Sequence, residues 1–162
     1  MVGQASKIRR SSPLYTPEQR KRRDDTFWTV VQGVLAPLQF LVFLVSLALV
    51  IGYLTTGEGA FAATVSIVVK TMVLYVIMVT GAIWEKVVFG QYLLAPAFFW
   101  EDVFSFVVIA LHTAYLCALF AGLPTDVQMW IALAAYATYV VNAAQFLMKL
   151  RAARLDTRMV AS

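Results

Sequence analysis

The chain of 162 residues has one cysteine and one histidine, and only 14% of it is Asp, Glu, Lys or Arg. A lone cysteine, Cys117, excludes an internal disulfide and every cysteine-based metal spacing. Cys117 lies inside an apolar run and is read as a small core residue. A lone histidine, His112, excludes a haem held by two histidines of this chain. No secretory signal is expected, because residues 1–26 are polar and basic and lack an apolar core.

What the chain has in abundance is apolar sequence. It is 61% hydrophobic, with a mean hydropathy of +0.77. That share is far above an ordinary soluble domain and indicates an integral membrane protein. The net charge of +4 resides mostly in the two tails. It therefore forms no face that tracks nucleic acid, and basic tails beside spans set topology and touch anionic lipid.

The expected organisation is all-α: an integral membrane four-helix bundle in a single domain over 14–155. A disordered basic tail, 1–13, precedes it and a short tail, 156–162, follows. In Thr16-Pro17-Glu18-Gln19, Thr16 suits an N-cap, Pro17 the first helical position and Gln19 the closing residue of a capping box. Arg20-Lys21-Arg22-Arg23 then suits a helix at an anionic surface. Spans are expected at about 27–54, 60–84, 102–121 and 127–150. Pro37 leaves the carbonyl of Gly33 without its helical donor and predicts a kink in the first span. Both tails are basic, whereas the turns holding Glu58 and Asp126 carry no Lys or Arg. Both termini are thus expected in the cytoplasm, which requires an even number of spans.

The polar residues of the spans are patterned. Gln32, Gln39, Ser46 and Tyr53 recur every seven positions, on one stripe that should face other helices. Between the second and third spans lies an aromatic, nearly uncharged hinge from Val87 to Phe99, expected on the cytoplasmic side. Glu85 precedes it and Glu101-Asp102 follow it. Gln39, Asn142 and Gln145 lie roughly 7–12 Å inside that boundary, which predicts a polar pocket opening toward the hinge, with much less polarity in the other half. Glu101, Ser105 and His112 share one helix face, but Glu101 and His112 are separated by roughly 16 Å along the axis. They form no hydrogen-bonded dyad, which excludes a Glu–His hydrolase. Lys70 sits near mid-membrane with no carboxylate at its depth, so it is expected neutral or holding an anion. Trp84, Trp100 and Tyr92 fit an aromatic belt.

Several stretches carry a resemblance. Leu14-Tyr15-Thr16-Pro17-Glu18, Trp84-Glu85-Lys86-Val87-Val88-Phe89-Gly90-Gln91-Tyr92 and Ala95-Pro96-Ala97-Phe98-Phe99-Trp100-Glu101-Asp102 resemble the 3-vinyl bacteriochlorophyllide hydratases. So do Ala110-Leu111-His112-Thr113-Ala114-Tyr115 and the run from Gln145 to Arg154. The resemblance covers roughly residues 14–155. It implies an integral membrane hydro-lyase of bacteriochlorophyll synthesis, in the inner or intracytoplasmic photosynthetic membrane of a bacterium. Such an enzyme adds water to the C3-vinyl group of a chlorophyllide-type ring, giving a 3-(1-hydroxyethyl) group. Expected partners are that tetrapyrrole, membrane lipid and other pigment-synthesis enzymes, with no nucleic acid.

This chemistry assigns expected roles. Protonation of the terminal vinyl carbon leaves a cation beside the ring, and water then attacks it. No cofactor is expected, and no metal site of the protein's own; magnesium enters only as part of the substrate. A carboxylic acid at an apolar boundary keeps its proton because burial disfavours the charge, while a second carboxylate orients the water. Glu101 is expected as the acid and Glu85 as its partner, with Asp102 in reserve. His112 is the available axial ligand for the substrate's magnesium, and Lys70 a candidate for its propionate, as are Arg22 and Lys149. Gln39, Asn142, Trp84 and Trp100 complete the expected substrate-binding set. The rival class is a non-catalytic chlorin-binding or pigment-assembly membrane protein, in which neutralising Glu85 or Glu101 leaves pigment binding unchanged.

Overall fold

The computed structural model describes residues 13–161, with side chains to residue 155. The expected N-terminal tail lies outside the described residues apart from Pro13, and so do the side chains of 156–162. The described residues form five helices: α1 (Pro17–Asp25), α2 (Phe27–Thr56), α3 (Ala60–Phe89), α4 (Phe99–Phe120) and α5 (Thr125–Ala161). All but α1 are long and apolar enough to cross a membrane.

Local signals set the helix ends. Thr16 Oγ1 accepts from the Gln19 amide at 3.2 Å, and Gln19 Oε1 accepts from the Thr16 amide at 2.9 Å, closing the expected capping box. Such a cap contributes about 1 kcal/mol. At the other end of the bundle, Gly57 takes a left-handed φ of 74° and stops α2. Gly90 does the same for α3 at φ 87°, where a side chain would strain the backbone. Pro37 lies within α2, which continues on both sides of it.

Because the turns after α2 and α4 are short, the chain folds as two antiparallel hairpins, α2–α3 and α4–α5. Packing is dense within each hairpin and lighter between them. The starts of α1 and α2, the 90–98 linker and the later part of α5 share one end, here the linker end. Large apolar side chains such as Phe27, Leu41, Val45, Phe61 and Val79 face outward, a surface suited to hydrocarbon rather than water.

The seven-residue stripe of α2 faces inward as its spacing predicts. Gln32 Nε2 donates to Thr80 Oγ1 at 2.8 Å. Ser46 Oγ lies 2.7 Å from Ser66 Oγ and 2.6 Å from the Tyr136 hydroxyl, and Tyr53 donates to Asp126 Oδ1 at 3.0 Å. Gln39 is buried, and neither end of its amide has a partner. Polar contacts thus continue to the far end of the bundle, where little polarity was expected. The partners responsible, Ser66 on α3 with Tyr136 and Asp126 on α5, become visible only once the helices are in register. Cys117 also departs from expectation: it is exposed, on the side of α4 turned away from the buried stripe of Ser105, Val108, His112 and Tyr115.

A candidate carboxyl site at the linker end

The last turn of α3 carries Glu85 and the first turn of α4 carries Glu101 and Asp102, and all three side chains are buried. The linker brings them together. Leu94 N donates to Asp102 Oδ2 at 2.7 Å, and Ala95 N donates to Glu85 Oε2 at 3.3 Å. Leu94 has a φ of 60°, the one left-handed non-glycine among the described residues. That conformation aims two successive backbone donors at two different carboxyl groups, and a bulky residue holds it only when its surroundings compel it. The Glu85 and Asp102 carboxyl groups also lie close enough to interact directly. Two carboxyl groups so placed repel when both are ionised, an arrangement that favours one of them holding a proton.

Glu101 has different surroundings. Lys149 Nζ, from α5, lies 3.1 Å from Glu101 Oε1 and donates to the carbonyl of Ala97 at 2.6 Å. The same ammonium sits 5.7 Å from the centre of the Phe98 ring. Glu101 Oε2 is buried and has no partner. Behind it, Asn142 Nδ2 donates to the Glu101 carbonyl at 2.8 Å, and Ser105 Oγ bonds the same carbonyl at 2.8 Å and Asn142 Oδ1 at 3.3 Å. Asn142 therefore ties α5 to the first turn of α4. Glu101 is near enough to Asp102 to interact electrostatically, and among the described residues it is the one of the three carboxyl groups paired to a cation.

An aromatic cluster borders this site. Tyr15 stacks on Phe89 at 5.8 Å, and Phe98 stacks on Phe146 at 5.9 Å. Trp84 meets Phe89 and Phe98 edge-on at 5.8 and 5.7 Å, and its Nε1 donates to Thr29 Oγ1 at 2.9 Å. Burial raises the Tyr15 hydroxyl above the usual phenol range, while the Arg23 guanidinium beside it pulls the other way. Trp100 is not part of this cluster; it is 65% exposed and, among the described residues, its ring meets Phe99 edge-on.

His112 and Lys70 occupy the middle of the bundle. His112 Nδ1 lies 2.8 Å from the Val108 carbonyl, so that nitrogen carries the proton and donates. Its Nε2 is buried without a partner. Lys70, fully buried, has its ammonium 3.7 Å above the centre of the Tyr139 ring and no hydrogen-bond partner. The fold thus brings Glu85, Asp102 and Glu101 together and places His112, Lys70 and Gln39 in a separate, deeper layer. Lys149, expected from sequence as a candidate for the propionate, instead pairs with Glu101; its position near the end of the last span was the available signal for that pairing. Two surface depressions, one bordered by Tyr53, Gly57, Asp126 and Trp130 and one by Leu147, Leu150, Arg151 and Arg154, touch neither layer. Among the described residues no group of three His, Cys, Asp or Glu is arranged to hold a metal ion.

Four membrane-capable helices around an enclosed carboxyl cluster define a multi-pass membrane protein with acid–base groups sealed into one end of its bundle. Residues 15–152 match the profile of the family described as 2-vinyl bacteriochlorophyllide hydratase (BCHF). The chain is 77% identical over 143 residues to a 2-vinyl bacteriochlorophyllide hydratase of Cereibacter sphaeroides, covering 88% of this chain and 89% of that protein. It is 75% identical over 143 residues to the protein of the same name from Rhodobacter capsulatus, covering 88% and 84%. The chain belongs to this family, which is the one expected from the resemblance apart from the number given to the vinyl-bearing carbon. No solved structure matches it.

Proposed function

We propose that this chain is a membrane hydro-lyase that adds water to the vinyl group of a bacteriochlorophyllide-type ring, giving the 1-hydroxyethyl product. What supports the mechanism is the division of the carboxyl groups into a neighbouring pair, Glu85–Asp102, read here as sharing one proton, and a lysine-paired carboxylate, Glu101. The pair delivers its proton to the terminal vinyl carbon, and the macrocycle delocalises the cation formed at the adjacent carbon. Water attacks that carbon, and its proton passes to the free Oε2 of Glu101. One proton leaves the cluster and one returns, so transfer from Glu101 back to the pair resets the site. These roles exchange those expected from the sequence, because the ammonium of Lys149 favours Glu101 as the charged base rather than the acid.

The aromatic cluster of Trp84, Phe89, Phe98 and Phe146 supplies an apolar wall beside the carboxyl groups for a flat ring. Asn142 positions Glu101 from behind, and Trp100, facing outward, meets the ring only as it enters from lipid. The unpartnered Nε2 of His112 has the tautomer an axial ligand to the substrate's magnesium needs. The reaction requires no redox or nucleotide cofactor. The membrane is a bacterial inner or photosynthetic membrane, with both termini and the linker in the cytoplasm, as the basic tails support. Other pigment-synthesis enzymes are the natural neighbours for passing on so apolar a product.

The test is to incubate membranes containing the chain with a vinyl-bearing chlorophyllide and weigh the pigment. A gain of one water supports the hydratase. Pigment that binds and returns unchanged would show a carrier instead.

A further inference from the structure

The carboxyl groups are enclosed: Glu85, Glu101 and Asp102 are 5%, 6% and 3% exposed. A ring as wide as a tetrapyrrole reaches them only when a covering element moves. The 90–98 linker is tied down by the Leu94 and Ala95 amides and the Ala97 carbonyl. The aromatic wall beside the carboxyl groups is covered by the segment 14–25, which is held more lightly. None of the nine residues of α1 is buried, and Arg20 Nε is covered without a partner. What seats the segment is Tyr15, just before the helix and 4% exposed. Its ring lies 13° from parallel to Phe89, with centres 5.8 Å apart, and meets Phe98 at 6.4 Å. The Arg23 guanidinium closes over it, 4.8 Å from its centre. Phe98 in turn has the Lys149 ammonium 5.7 Å from its centre, the cation that pairs with Glu101. Phe98 thus meets Tyr15 on one hand and the Lys149–Glu101 pair on the other.

We infer that the face of Phe89 covered by Tyr15 is a stacking site for the macrocycle, and that residues 14–25 form a strap that leaves it when substrate enters. This rests on the hydratase reading of the carboxyl groups and deepens it by assigning how their enclosed site opens. The near-parallel Tyr15–Phe89 contact is a geometry that a flat π system adopts on an aromatic side chain, and a tetrapyrrole offers the same kind of face over a larger area. The hinge is Thr26, a single extended residue between α1 and α2 with φ −87° and ψ 135°. Rotation there carries α1 away without unwinding either helix. The wall also reaches the hinge. Trp84 Nε1 donates to Thr29 Oγ1 at 2.9 Å, and that hydroxyl donates to the Arg23 carbonyl at 2.6 Å. A ring arriving against Trp84 and Phe89 therefore meets the group that latches the end of α1 to α2. The basic run Arg20–Arg23 suits the headgroup region, so a displaced strap stays at the membrane surface. The closed strap lowers apparent affinity, because only the open fraction of the chain takes up pigment.

The experiment puts spin labels on Lys21→Cys in α1 and Tyr92→Cys in the linker, both exposed positions, in the full chain with the exposed Cys117 changed to Ser. Their separation is measured in membranes with and without a vinyl-bearing magnesium chlorophyllide. With Tyr15 in place, pigment should lengthen or broaden the distribution of distances. Tyr15→Ala should broaden it before pigment is added and tighten pigment binding by about tenfold, because a larger share of the chain is then open. Tyr15→Phe returns the ring and should return both the closed distance and the weaker binding. A separation that pigment leaves unchanged with Tyr15 in place would overturn the strap, and that measurement does not depend on any Tyr15 variant folding. Weaker pigment binding by a folded Tyr15→Ala would overturn it too, since a purely structural wall residue gives that sign. Hydration is followed in the same membranes by mass. Pigment that moves the strap and returns without added water would overturn the hydratase reading and leave the strap standing, as the gate of a carrier.

Discussion

Lys149 on α5 holds Glu101 on α4 by one carboxylate oxygen only: Nζ lies 3.1 Å from Oε1, while Oε2 is buried and unpartnered. The same ammonium donates to the Ala97 carbonyl at 2.6 Å, so a single side chain fixes both the charge of Glu101 and the end of the linker. The Glu101 side chain is 8% exposed and that of Lys149 28%, so removing the cation leaves a mostly buried charge unanswered.

Lys149→Met should therefore lower kcat/KM by about tenfold or more, and Lys149→Arg should recover part of it because the cation returns. Recovery by the conservative variant distinguishes a charge role from packing, because Arg restores the cation to Glu101. Equal losses in Lys149→Met and Lys149→Arg would reduce Lys149 to a structural tie.

Glu85→Gln should reduce turnover by a factor of about 10² or more, because it removes the proton shared with Asp102 while keeping the shape. Asp102→Asn should fall similarly, since its amide oxygen still accepts from Leu94 N and the linker stays folded. Glu101→Gln should also lower turnover, through loss of the base, and leave pigment bound. Turnover and pigment retention measured on all three decide the roles. Near-normal rates in Glu85→Gln, with abolition in Glu101→Gln, would return the acid's role to Glu101.

His112→Ala should weaken binding of a magnesium-containing substrate more than that of its magnesium-free counterpart, because only the former accepts an axial nitrogen. Titration of both pigments into membranes reads the difference. Equal losses would leave His112 as a helix-packing residue bonded to Val108.

Four apolar helices, the Thr16–Gln19 capping box and the inward stripe of Gln32, Ser46 and Tyr53 follow from sequence because each depends on local spacing. Helix period, cap chemistry and the cost of polar groups in hydrocarbon act within one helix or its nearest turn. That Glu85, Glu101 and Asp102 gather at one end was also legible, since all three flank a single short linker. Which carboxyl pairs with which was not. The Glu85–Asp102 contact depends on Leu94 turning left-handed, and the Lys149–Glu101 pair depends on the register of α5 against α4. Likewise, sequence left Lys70 without a carboxylate, but only the packed bundle set it over Tyr139, a turn from Gln39 and beside His112. Spacing along one helix fixes which face a side chain takes; its partner is chosen by the rotation and depth of the neighbouring helix, and those are properties of the assembled bundle.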